Sequence, residues 1–88
     1  MKLCGDFVVR QVMDNTVAIP VGQTALRLNG MILLNDVSQV IWQCLERGAE
    51  MKELLTAVTD GFSVEPAEAQ KDIEEFCDKL RQLQLLED

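Results

Sequence analysis

The spacing of the apolar residues changes once along the chain, and this change constrains the fold more than any other feature. Before Asn35-Asp36 the apolar residues form short β-branched runs, as strands do. After it they recur three, four and seven positions apart, as on one face of a helix. Strands followed by helices indicate an α+β domain. With 88 residues, we expect a single domain over residues 1–88.

The first half predicts a three-stranded antiparallel sheet. Residues 7–13 and 16–19 form a hairpin, with a turn at Asp14-Asn15, because both residues tolerate a left-handed backbone. Residues 21–29 fit either a helical turn or an extended loop. Asn29-Gly30 is a strong turn signal, and residues 31–34 are the third strand.

The third strand is apolar on both of its faces. Alternation places Ile32 and Leu34 on one face and Met31 and Leu33 on the other. Because exposed apolar faces are unfavourable, we expect this strand to be covered on both sides or to meet a partner.

The first predicted helix begins after Asn35-Asp36, which can accept from its free N–H groups. Gly48 ends it in a left-handed conformation, and Trp42 is expected at the rim of the core. The stripe that this helix turns to the core is Val37, Val40, Ile41, Cys44 and Leu45.

Two further helices complete the chain. The second carries Met51, Leu54, Leu55 and Val58 and ends at Asp60-Gly61, and Phe62 and Val64 are expected to fill the core from the connecting loop. The third spans 65–83, with Pro66 in its first turn. These two helices predict a helix-turn-helix with the sheet as a wing. The third apolar stripe is Ala69, Ile73, Phe76, Cys77, Leu80 and Leu83, and Leu85-Leu86 returns to the core.

The residue types do not favour an enzyme. The chain has no histidine, and its five glycines are isolated, so no phosphate-binding loop is present. The three cysteines fit neither a disulfide framework nor a zinc pattern. We interpret Cys44 and Cys77 as core residues and Cys4 as part of a tail, and we expect no cofactor and no metal.

The charges argue against nucleic acid and membrane as partners. The net charge is −7, and the third helix holds six acidic residues against three basic ones, whereas phosphate contacts require cations. No stretch approaches the length of a membrane span. The first residues lack the apolar core of a signal peptide, so we expect a cytoplasmic location.

Peptide binding is compatible with this pattern. A short third strand at a sheet edge leaves main-chain groups unpaired, and an extended peptide can pair with them. The pocket would lie between the third strand and the third helix, lined by Met31 and Leu33 and by Asp72, Phe76 and Lys79 on one helical face. Met31 and Phe76 could equally be core residues.

Several short motifs follow one another over residues 5–87. They are Gly30-Met31-Ile32-Leu33-Leu34-Asn35, Ile41-Trp42, Leu45, Gly48, residues 51–55, Val64-Glu65-Pro66, Asp72-Ile73, Phe76, Leu80 and Leu85-Leu86. In this order the chain resembles the PqqD family, the pyrroloquinoline-quinone synthesis protein D family, also called RiPP precursor recognition elements.

The resemblance implies a winged helix-turn-helix that binds the leader of a ribosomally made precursor peptide and delivers it to a modifying enzyme, often a radical SAM enzyme. Residues 31–34 would pair with the leader, and Asp72, Phe76 and Lys79 would flank it. The chain departs from the family by the longer segment 21–29, which favours a free-standing recognition domain for another peptide product. Two alternatives stay open: a winged-helix DNA-binding regulator and a dimerising assembly subunit. The chain would be a monomer or a weak homodimer.

Overall fold

A computed structural model describes all 88 residues, which form two compact units. One unit is Gly5–Asp36, and the other combines Met1–Cys4 with Val37–Asp88. The α+β class is confirmed. In chain order the elements are β1 (Lys2–Leu3), β2 (Phe7–Val12), β3 (Asn15–Pro20), α1 (Gly22–Arg27), β4 (Ile32–Leu34), α2 (Asp36–Arg47), α3 (Met51–Gly61), α4 (Pro66–Gln82) and β5 (Leu86–Glu87).

The hairpin of β2 and β3 turns one residue earlier than predicted. Val12 pairs with Asn15, so the two-residue loop is Met13-Asp14 and Asn15 belongs to the strand. Met13 has a φ of 58°, and a positive φ at the first loop position matches the twist of the flanking strands. The hydroxyl of Thr16 donates to the side-chain oxygen of Gln11 over 3.1 Å across this register.

The ambiguous segment after β3 is a short helix, α1. Its buried Thr24 accepts a hydrogen bond from the N–H of Asp6 at 2.8 Å, and the N–H of Val21 donates to the carbonyl of Asp6 at 3.0 Å. These bonds tie α1 to the start of β2. Gly5 is required here, because a Cβ at this position would lie 2.8 Å from the Thr24 hydroxyl and φ is +102°.

Helix α2 begins at Asp36, as the sequence predicts, and Gly48 follows it with a φ of +90°. Trp42 is only 1% exposed, so the prediction that it lies at the rim of the core is wrong. Burial of Ile41 and Trp42 together shows that α2 is enclosed over a wider arc than the stripe alone indicates.

Helices α3 and α4 pack against each other and are joined by a four-residue loop, which matches the predicted helix-turn-helix. Glu50 and Glu53 form a reciprocal capping box at the start of α3, and Pro66 occupies the first turn of α4. Phe62 and Val64 are half-buried rather than core residues, because the loop runs over the surface. The fully buried side chains of these helices are Leu54, Val58, Ala69, Ile73, Cys77 and Leu80.

The predicted tail is structured. Strand β1 pairs antiparallel with β5, and the N–H of Cys4 donates to the carbonyl of Leu85 at 2.8 Å. The guanidinium of Arg81 donates to both carboxylate oxygens of Asp88, at 2.9 and 3.2 Å. These hydrogen bonds hold the pKa of Asp88 below its usual range.

Leu85 is fully buried, and Leu86 is half-buried, which agrees with the predicted return of this segment to the core. None of the helices is both long enough and apolar enough to cross a membrane.

Candidate functional site

Strand β4 is an edge strand of the three-stranded sheet. The strand order is β2-β3-β4, so β4 pairs with β3 along one side only. Its pairs are Thr16 with Leu34, Val17 with Leu33 and Ala18 with Ile32. An edge strand presents unpaired N–H and C=O groups that can template a further strand. The predicted position of this strand at a sheet edge is confirmed.

The side chains of β4 divide by alternation, as the sequence predicts. Ile32 and Leu34 are 5% and 4% exposed, so these two residues can offer a partner only their main-chain atoms. Leu33 is 64% exposed. Met31 precedes the strand, which begins at Ile32, and is 58% exposed; the alternative that Met31 is a core residue is therefore wrong.

Leu33 ends a cross-strand row of the sheet. It pairs with Val17, which pairs with Arg10 on β2. Val17 is only 2% exposed and supports Leu33 from the central strand. The guanidinium of Arg10 donates to the carbonyl of Val9 at 3.1 Å, so this cation stays on the β2 side of the sheet. The sequence did not single out Val17, because its neighbours depend on a pairing register that the apolar pattern alone does not give.

The large apolar residues with the most exposed side chains all lie in the unit Gly5–Asp36. This unit has three acidic and two basic residues, whereas the other unit has twelve acidic and six basic residues. The net charge of Gly5–Asp36 is therefore −1, against −6 for the other unit. The large apolar residues that are exposed are Val9, Val12, Met13, Leu26, Met31 and Leu33.

The predicted residues of α4 lie along one face of that helix, in the unit that contains Val37–Asp88. Asp72 and Lys79 are exposed, and Phe76 between them is half-buried. Ile73 and Cys77, the next residues along the chain, are fully buried and fix the rotation of the helix. Phe76 therefore lies at the boundary between the core stripe and the charged face, and part of its side chain is exposed.

Three further observations concern metal binding, thiol reactivity and surface hollows. No group of three or more Cys, Asp or Glu side chains is placed to hold a metal ion. Burial raises the pKa of the Cys77 thiol, which disfavours the reactive thiolate. Two surface hollows, one beside Lys2 and Arg47 and one at the α3–α4 loop, contain none of the predicted site residues.

Two comparisons with known proteins agree with this description. The family model of coenzyme PQQ synthesis protein D (PqqD) matches residues 15–86. Among solved structures, the chain is similar to one described as TbiB1 in complex with the TbiA(beta) leader peptide. The similarity has a TM-score of 0.73 and 25% sequence identity, and it covers 99% of this chain and 95% of that one. No curated protein matches the chain.

Proposed function

Because the chain belongs to the family of coenzyme PQQ synthesis protein D, we propose that it is a non-enzymatic domain that binds the leader segment of a ribosomally synthesised precursor peptide. It presents this leader to a separate modifying enzyme. In this proposal residues 1–88 act as a single peptide-binding domain, and the leader joins the sheet as an additional strand beside β4.

The observation that carries the proposal is the open edge of β4 next to an exposed Leu33. Main-chain hydrogen bonds along such an edge give affinity for any extended chain, and the neighbouring side chains give specificity. The solved structure to which the chain is similar is described as a complex with a leader peptide, which supports a leader as the partner.

Helix α4 has the second role in this proposal. Asp72, Phe76 and Lys79 contact the side chains of the bound leader, with the half-buried ring of Phe76 as the apolar contact and the two charged groups as selective contacts. The modifying enzyme is of the radical SAM class, and the location is cytoplasmic. The product is a peptide other than the quinone cofactor, because α1 gives this chain a longer connection between β3 and β4.

Leu33→Asp tests the proposal. A carboxylate at this position cannot be covered by a leader without desolvation, so we expect the dissociation constant to rise at least about a hundredfold. Isothermal titration calorimetry with synthetic leaders, one for each short peptide encoded near the gene of this chain, gives the measurement.

Leu26→Asp is the matched control for this experiment. Leu26 is 81% exposed on α1, so the same change in charge there should leave the affinity within about twofold. Unchanged affinity in Leu33→Asp would remove residues 31–34 from the site. Absence of any binding to the unaltered chain would reject the leader-binding function.

A further inference from the structure

The exposed face of β4 also defines which peptides the site selects. We infer that the leader carries two apolar side chains at alternate positions, i and i+2, of its extended segment, and that these contact Leu33 and Met31. The inference rests on the proposed function and adds the sequence pattern that the site recognises.

The first step is the cross-strand row that ends at Leu33. A strand added to β4 continues the row Arg10, Val17, Leu33 with one of its own residues. Directly opposite residues in neighbouring strands have Cβ atoms roughly 5 Å apart. One leader side chain must therefore cover Leu33, which is 64% exposed.

The second step is the alternation of the strand. Met31 lies two residues before Leu33 and is 58% exposed, and alternation places it on the same face as Leu33. The leader residue two positions from the one opposite Leu33 lies on the same face of the sheet. The intervening leader residue lies on the face of Ile32 and Leu34, whose side chains are already buried. The requirement for apolar residues thus falls on alternate positions.

The third step is the absence of a nearby charge on this row. Arg10 lies three strand spacings from an added strand, or roughly 14 Å. Its guanidinium donates to the carbonyl of Val9 instead. A charged leader side chain opposite Leu33 would find no counter-charge within the row and would cover an apolar side chain poorly. An aliphatic or aromatic residue is the complementary choice.

Selection from a random library tests this pattern without knowledge of the natural leader. The probe is an mRNA-displayed library of random twelve-residue peptides, and the bait is the immobilised full chain. We expect enrichment of peptides with apolar residues at i and i+2. A synthetic isomer of one enriched peptide, with the two apolar residues moved to adjacent positions, should bind roughly tenfold more weakly, because one of them loses its contact.

Two variants make the selection specific to β4. Leu33→Lys should enrich peptides in which Asp or Glu replaces one apolar residue. This enrichment is the opposite of the general preference for basic peptides that is expected of a chain with net charge −7. Leu26→Lys, an equal change on α1, should enrich the same peptides as the unaltered chain. Far-UV circular dichroism checks that both variants are folded.

The outcomes separate the inference from the function. Enrichment of peptides without the alternate pattern, or the same selected sequences from Leu33→Lys as from the unaltered chain, overturns the inference and leaves leader binding in place. No enrichment with any of the three baits overturns both.

Discussion

Leu33 and Met13 are both exposed apolar residues, but for different reasons. Leu33 is exposed because it lies on the edge strand β4, on the face opposite Ile32 and Leu34. Met13 is 90% exposed because it lies in the hairpin loop, where its φ of 58° is unfavourable for any residue with a Cβ atom. The first side chain has a place in the proposed function, and the second is a site of strain.

Met13→Gly should therefore stabilise the protein. Relief of the left-handed backbone is worth about 1–2 kcal/mol, and the greater freedom of glycine in the unfolded chain offsets about half of it. We expect the free energy of unfolding to rise by roughly 0.5–1 kcal/mol in urea denaturation. Met13→Ala retains the Cβ atom and should show no such gain; an equal gain from alanine would show that the loop is not strained.

The position of this loop could not be predicted from turn propensities. Asp14 and Asn15 are the residues that best tolerate a left-handed backbone, yet the loop uses Met13. The reason is the register: Val12 pairs with Asn15, and the pairs from Gln11–Thr16 to Phe7–Pro20 follow in sequence. Pairing of two strands over six residues outweighs the preference of one loop residue.

At the scale of elements, periodic segments were predictable and short ones were not. The stripes of α2, α3 and α4 repeat over two or more turns, so most of their buried residues follow from spacing, whereas the burial of Trp42 does not. The six residues of α1 contain too few repeats, and the two-residue strands β1 and β5 contain none. Those elements depend on hydrogen bonds between residues far apart in the chain.

The alternation of side chains predicted which residues of the proposed site are exposed on β4. The alternation of residues 31–34 gives the exposed Leu33 and the buried Ile32 and Leu34 directly. Phe76 was harder, because a position beside an apolar stripe can be buried or exposed, and it is half-buried. The contact of the leader with Asp72, Phe76 and Lys79 stays a prediction.

Thr24→Val tests how α1 is held. The buried hydroxyl of Thr24 accepts from the N–H of Asp6, and valine has the same shape without the acceptor. Loss of the acceptor leaves a main-chain donor unpaired, so we expect a loss of roughly 1–3 kcal/mol in the free energy of unfolding. Thr24→Ser keeps the oxygen and should lose clearly less; equal losses would mean that packing of the methyl group, and not the hydrogen bond, holds α1.

On the scale of the whole molecule, charge and apolar surface are separated. The twelve acidic and six basic residues outside Gly5–Asp36 leave a net charge of −6 there, whereas every large exposed apolar side chain lies within Gly5–Asp36. Acidic helices repel phosphate, which disfavours the DNA-binding alternative.

The exposed edge of β4 is also the surface that a dimerising subunit would use. Light scattering with and without leader therefore separates leader binding from dimerisation.

The C-terminal ion pairs make stability depend on pH in acid. The hydrogen bonds from Arg81 hold the pKa of Asp88 below its unfolded value. Their contribution is therefore present above the unfolded pKa, about 4, and is lost as the pH falls through the lower folded pKa. We expect Arg81→Gln to lose less stability than the unaltered chain when urea denaturation is repeated between pH 5 and pH 2.

Arg27→Gln is the control for this titration, because it removes an exposed arginine from α1. It should follow the unaltered chain over the whole acid range. If the free energy of unfolding of Arg81→Gln falls as steeply between pH 5 and pH 2 as that of the unaltered chain, Asp88 contributes nothing to the pH dependence.

The antiparallel pairing of β1 with β5 places Lys2 opposite Glu87. The first and last strands are therefore neighbours, and a linker of a few glycine and serine residues would suffice to join Met1 to Asp88. Circular permutants with new termini between Met13 and Asp14 would keep all strand partners. The proposed peptide-binding edge could then be fused to a modifying enzyme through the hairpin loop.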